Sequence, residues 1–302
     1  VSVRARKAVG LGLTALTGFA AALVLAMLGL IVVDVLIGGL GKLSWEFISS
    51  APTAGMTQGG VFPAIYGTAA LTLTMTVVVM PVGVITAVYL HEYAPKDSRL
   101  AALVRIAVQN LAGVPSIVFG LFGLGFFIQF VGRGIDRAFS SAGTLQYGQP
   151  ALIWAALTLA VLTLPVVIVS TEEALRAVPH DWRDASLALG ATRSQTLLRV
   201  VLPSALPGIL TGAILAVARG AGEVAPILFT GVAYFLPDLP TSGFSQFMHL
   251  GYHVYVLATQ SPDVEAARPL LYGTVLVLLV LTFTLNLVAV VLRIRMRAAA
   301  ST

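Results

Sequence analysis

Long uncharged stretches separated by short charged segments dominate the chain. Residues 8–33, 47–90, 106–132, 138–171, 200–218 and 269–292 contain no Asp, Glu, Lys or Arg. A helix needs about 20 apolar residues to cross a bilayer. The second stretch is too long for one helix, and its Pro/Gly/Thr-rich first part, 51–63, reads as loop. The fourth opens with a loop, 140–149, and the fifth continues past two isolated charges to about residue 235. The pattern predicts six spans, about 8–33, 64–90, 106–131, 150–170, 204–235 and 269–292. The chain is therefore expected to be an all-α membrane protein forming a single transmembrane domain over 1–302.

Composition agrees: 58% of residues are hydrophobic and 10% charged, against about 25% charged in a soluble domain. The net charge of +5 then has to be placed. With the first segment inside, the inner segments hold Arg4, Arg6, Lys7, Lys96, Arg99, Arg105, Arg176, Arg183, Arg193, Arg199, Arg293, Arg295 and Arg297. The outer segments hold Lys42, Arg133, Arg137 and Arg268, and Arg219 falls within a span. That positive-inside bias puts both ends of the chain in the cytoplasm and explains the basic character without a nucleic-acid partner. The first span is too long for a cleavable signal core and reads as a signal anchor. There is no cysteine, so thiol chemistry and Cys-based zinc sites are excluded. His249 and His253 stand at i, i+4 in an expected outer loop with no third ligand nearby, and no metal site is assigned.

The longest inner segment, about 172–203, reads as a helix–turn–helix. Asp181 is a candidate N-cap, with Asp184 facing the positive end of the helix. Gly190 supplies the left-handed residue that ends this first helix, after about Leu189. Thr192 and Gln195 have capping-box spacing and start a second helix that leads into Pro203 and Pro207. The segment resembles the "EAA" loop of ABC-importer permeases, whose pattern is E-A-A, three residues, Gly, nine residues, I-x-L-P. Here it reads Asp184-Ala185-Ser186, three residues, Gly190, nine residues, then Val200-Val201-Leu202-Pro203. "LAGVPSIVFGLFGLGFFI" (111–128), "TEEALRAVP" (171–179) and "ARGAGEVAPILFTG" (218–231) resemble the phosphate-specific permeases of the Pst system, of the PstA type.

The resemblance implies a type I ABC-importer permease fold in a bacterial plasma membrane. It also implies a second permease of the PstC type, an ATPase dimer docking on the EAA loop, and an extracytoplasmic phosphate-binding protein. The docking residues would be Asp184, Ala185, Ser186, Gly190, Leu202 and Pro203. No Walker A pattern occurs, and the only Gly-Lys pair, Gly41-Lys42, lacks its other members. No cofactor is expected in this chain, and ATP with Mg²⁺ would sit in the partner ATPase.

Arg219 and Glu223 are the only charges from 200 to 237. An arginine at mid-bilayer costs about 2.5–3.5 kcal/mol on the insertion scale. Its planar fork suits phosphate oxygens, and in a helix Glu223 would share its face. Gly220, Gly222 and Pro226 would let the backbone open nearby. Pro115-Ser116, a proline-freed carbonyl beside a hydroxyl, is a second candidate lining for the pathway. A purely structural ion pair is the competing reading for Arg219 and Glu223, and a back-bonded hydroxyl for Ser116. Thr72, Thr74 and Thr76 are expected to pack or to bond back to their own helix. A permease for sulfate or molybdate fits the EAA loop equally. A secondary anion carrier with Glu223 as proton relay leaves the loop's spacing unexplained.

Overall fold

The structure, a computed structural model, describes residues 3–53, 58–95, 97–139, 145–261 and 263–300. Parts of the expected outer loops (54–57, 140–144 and 262) and Lys96 lie outside the described residues. In chain order the helices are α1 (Val3–Gly39), α2 (Trp45–Ser49), α3 (Phe62–Val88), α4 (Arg99–Ala112), α5 (Ser116–Phe122) and α6 (Arg133–Phe139). They continue with α7 (Leu152–Arg176), α8 (His180–Ala188), α9 (Arg193–Thr196), α10 (Leu202–Gly220), α11 (Leu250–Thr259) and α12 (Val264–Ala300). π-helical stretches Tyr89–Tyr93, Gly123–Gly132 and Leu197–Val201 extend α3, join α5 to α6 and join α9 to α10. A two-residue antiparallel ladder pairs β1 (Pro52–Thr53) with β2 (Gln58–Gly59) in the first outer loop.

Among the described residues six helical stretches are long and apolar enough to cross a membrane: Gly10–Lys42, Phe62–Tyr93, Ser116–Phe139, Leu152–Arg176, Arg193–Gly220 and Glu265–Met296. α7 is the hub. Of its most apolar window 67% is buried, against 6% for the first span, which leans on α12 and otherwise presents apolar side chains outward. Leu71, Met75 and Val79 of α3, Leu159 and Val167 of α7 and Ala216 of α10 share one core.

The three central helices approach closely because one ridge of α10 is small: Gly208, Gly212, Ala216 and Gly220 recur every four residues. A Cβ on Gly208 or Gly212 would collide with Ala174 or Ser170 of α7, and one on Gly220 with Met75 of α3. Small residues at such crossings replace the hydrophobic drive that lipid cannot supply. Thr72, Thr74 and Thr76 bond back to the carbonyls of Thr68, Ala70 and Thr72, at 2.7–2.8 Å.

Three boundaries differ from the hydropathy pattern. The expected third span, about 106–131, is split: α4 ends at Ala112, and the spanning stretch starts at Ser116 and runs through Arg133 to Phe139. Pro115 disfavours helical geometry in Val114 and offers no N–H, so the helix restarts after it. α4 instead packs Ala101, Val104 and Val108 against Ala87, Leu90 and Ile168. The expected fifth span, about 204–235, begins earlier at Arg193 and stops at Gly220. Beyond it lies irregular backbone with one 3-10 turn, Ile227–Phe229, and a parallel bridge between Val232 and Phe247. The segment between the expected fifth and sixth spans contains α11, which buries Leu250, His253, Val256 and Leu257.

Candidate functional site

The helix α10 delivers Arg219 to its own end. Ala221 N–H still bonds to Val217 O at 3.0 Å, and Glu223 N–H reaches only Gly220 O at 3.3 Å. The expected shared helix face for Arg219 and Glu223 is therefore corrected: Glu223 lies past the helix end, and the turn brings it back. Arg219 Nε stands 3.9 Å from Glu223 Oε1, with the side chains 38% and 23% exposed. Among the described residues the Arg219 guanidinium makes no hydrogen bond. At that separation, with both side chains partly exposed, the pair is worth about 1 kcal/mol or less. It leaves the fork's donors open to an incoming anion.

The irregular segment is wedged between spans. Pro226 and Phe229 lie against Gly120 of α5, and Thr158 and Thr230 against Gly123, where a Cβ has no room. Ser116, one turn before Gly120, is half-buried at the start of α5. The expected proline-freed carbonyl is corrected here too: Pro115 precedes the helix, and the open groups are the first N–H donors of a helix start. No bond joins Ser116 to Arg219 or Glu223.

On the outer side, Val224 packs where Gly251 has no Cβ, and Leu250 N–H bonds to Thr68 Oγ1 at 2.9 Å. His249 and His253, expected in an outer loop, are fully buried against this junction. His249 Nδ1 accepts from Gly251 N–H at 3.2 Å. Burial pushes both imidazoles down to about 4, so they are neutral. Among the described residues no group of three or more His, Cys, Asp or Glu could hold a metal.

The expected inner segment folds as a helix–turn–helix. Gly190 has φ +86°, and the Thr192–Gln195 capping box closes with bonds of 2.9 and 3.2 Å. Ser186 Oγ lies 2.9 Å from Thr196 Oγ1, bridging the two helices. Asp181 is not the N-cap; Pro179 takes that position, and Asp181 sits in the first turn of α8. Asp184 and Ala185 are exposed, and Leu189 at the tip is 90% exposed. Leu202 and Pro203 begin α10 directly behind the π-turn, so helical backbone runs without interruption from Arg193 to Gly220.

These features have counterparts among known proteins. The model of the binding-protein-dependent transport system inner membrane component family matches residues 79–298. The chain belongs to that family. It is a permease subunit of the ABC-importer class, a transport component, and a multi-pass inner-membrane protein. It is 34% identical over 266 residues, 84% of this chain and 85% of the other, to the probable ABC transporter permease protein YqgI of Bacillus subtilis. It is 42% identical over 170 residues to the phosphate transport system permease protein PstA 1 of Mycobacterium tuberculosis, covering 56% of this chain and half of that protein. It is 31% identical to the probable phosphate transport system permease protein PstA of Methanocaldococcus jannaschii, over 76% and 74% of the two chains. Its fold is that of a bacterial alginate ABC transporter in complex with its alginate-bound periplasmic protein (TM-score 0.66, 14% identity, 92% of each chain). An inward-facing methionine ABC transporter is also similar (TM-score 0.59, 20% identity, 77% and 94%).

The permease also carries charged residues that sequence reading left unassigned. Arg183 donates to Val178 O at 2.6 Å, to Leu175 O at 2.8 Å and to Glu92 Oε1 at 2.9 Å. Arg105 donates to Leu90 O at 2.7 Å and pairs with Glu172 at 3.4 Å. On the far side, buried Asp136 accepts from the N–H groups of Gln146, Tyr147 and Gly148 at 2.6–3.1 Å, pinning the outer loop. The signal available was position alone: an acidic residue at the inner end of the second span and basic ones along the next inner segments.

Proposed function

We propose that this permease is the PstA-type subunit of an ATP-driven importer of inorganic phosphate. Arg219 is the anion contact, Glu223 its resting partner, and Ser116 part of the pathway lining. The helix–turn–helix, with Asp184, Ala185, Ser186, Gly190, Leu202 and Pro203, seats an ATPase dimer that holds ATP and Mg²⁺. A PstC-type permease completes the pathway, and an extracytoplasmic phosphate-binding protein delivers the anion. One observation carries the reading: an arginine at a helix break inside the membrane domain, held by a single partner 3.9 Å away. Phosphate oxygens match the guanidinium fork in geometry and charge. Glu223 could also accept a hydrogen bond from a protonated phosphate oxygen, a contact that fully deprotonated sulfate lacks. The names of the mycobacterial and archaeal relatives support phosphate over other oxyanions.

Radiolabelled phosphate uptake by the assembled complex, with sulfate and molybdate as competitors, tests the substrate. Unlabelled phosphate should compete, and sulfate and molybdate should not. The Arg219→Met/Glu223→Leu double variant tests the site. Buried ion pairs that only hold helices are often replaceable by apolar packing. An assembled double variant with wild-type uptake would sink the pathway role.

A further inference from the structure

We propose that Arg183 and Glu92 form a latch that carries the ATPase-driven movement of the helix–turn–helix into the second span as well as the fifth. The inference rests on the reading of that element as the ATPase seat.

Apolar packing contributes little to holding α8 in place, since none of its residues is fully buried. A cavity of about 120 Å³, lined by Glu92, Arg183, Leu187, Arg193, Thr196 and Val201, lies between it and the spans. The Arg183 side chain, 12% exposed, does the fastening. One guanidinium joins α8 to Leu175 O at the end of α7, to Val178 O in the connector, and to the carboxylate of Glu92, in the π-turn that ends the second span. Arg105 secures the same corner from α4, through Leu90 O and Glu172.

The second span leads back to the anion site. Its Met75 rests against Gly220, the neighbour of Arg219. A displacement of α8 reaches Arg219 directly, along the unbroken helix from Arg193 to Gly220. Through the latch it also moves the wall on which Gly220 leans. Without the latch α8 can shift into the cavity with the fifth span alone, and hydrolysis no longer moves both walls together.

The test is the ratio of phosphate transported to ATP hydrolysed in proteoliposomes holding the complete complex. It is measured for wild type, Glu92→Gln, Arg183→Gln and the double variant, with ATPase co-purification as the assembly control. Glu92→Gln keeps the guanidinium and both carbonyl bonds, so the fold survives. Its ratio should fall at least threefold with ATPase association undiminished, and the double variant should be no worse than Arg183→Gln. A wild-type ratio for Glu92→Gln, or effects that multiply in the double variant, overturns the latch. Should Arg183→Gln fail to assemble, Glu92→Gln alone decides. A wild-type complex that hydrolyses ATP without moving phosphate overturns instead the importer reading on which the latch rests.

Discussion

Arg183 and Arg219 are both arginines beside a glutamate, and their surroundings differ in every physical respect. Arg183 has three acceptors within 3 Å and is 12% exposed; Arg219 has one partner at 3.9 Å and is 38% exposed. The first is bonded through both Nη1 and Nη2, so removing it strands a carboxylate and two carbonyls in a largely buried corner. The second is unsaturated, so its charge is available. The number of hydrogen-bond partners, more than the presence of an ion pair, separates the fastening arginine from the one proposed to meet the anion.

The widest contrast should appear when each is neutralised. Arg219→Gln should lower phosphate uptake at least 100-fold while changing thermal stability in detergent by under about 1 kcal/mol, as for an exposed pair. Arg183→Ala should show the converse weighting, destabilising by about 3 kcal/mol or more because its partners stay buried. Equal stability losses for the two would erase the distinction.

Acid should loosen one region and spare the other. His249 and His253 are held neutral by burial at about 4, whereas an unfolded histidine titrates near 6.5. Their folded values are depressed, so the unfolded state takes up protons first. The stability they contribute is complete above about pH 6.5 and is lost as pH falls toward 4, by up to about 3 kcal/mol for each. Hydrogen exchange should rise in 249–259 over that window, while in 193–199, which holds no Asp, Glu or His, it should change little. Exchange that is flat with pH in α11 would show that the imidazoles are hydrated.

Smaller effects refine the picture. Gly190→Val places a β-branched residue at φ +86°, a strain of about 1 kcal/mol or more. It should leave the protein in the membrane and reduce ATPase association several-fold in co-purification; unchanged association would show that the turn is not part of the seat. Glu223→Gln should cost only about threefold in uptake, since it removes the partner and leaves the arginine. A loss as deep as that of Arg219→Gln would give Glu223 a role of its own.

Much of the helix–turn–helix was legible because its signals are local. A capping box, a left-handed glycine and their spacing act within a few residues, and Thr192, Gln195 and Gly190 hold the expected geometry. Asp181 misled because Pro179 already starts the helix with a suitable φ. The third and fifth spans misled because hydropathy sums apolar side chains and does not register where the backbone leaves the helix, at Pro115 and after Gly220.

The sequence by itself determined the membrane class, the number of spans, the inner bias of positive charge and the two isolated charges in the fifth span. Each follows from side-chain transfer energies or from contacts a few residues apart. Only the tertiary structure decided that Glu223 pairs with Arg219 across a broken helix, that Arg183 reaches Glu92, and that His249 and His253 are buried. Those outcomes depend on which helices meet, and small-residue ridges such as Gly208–Gly212–Ala216–Gly220 set that meeting only once α7 and α3 are in place. Residues far apart in the chain become partners through a packing geometry that no local pattern encodes.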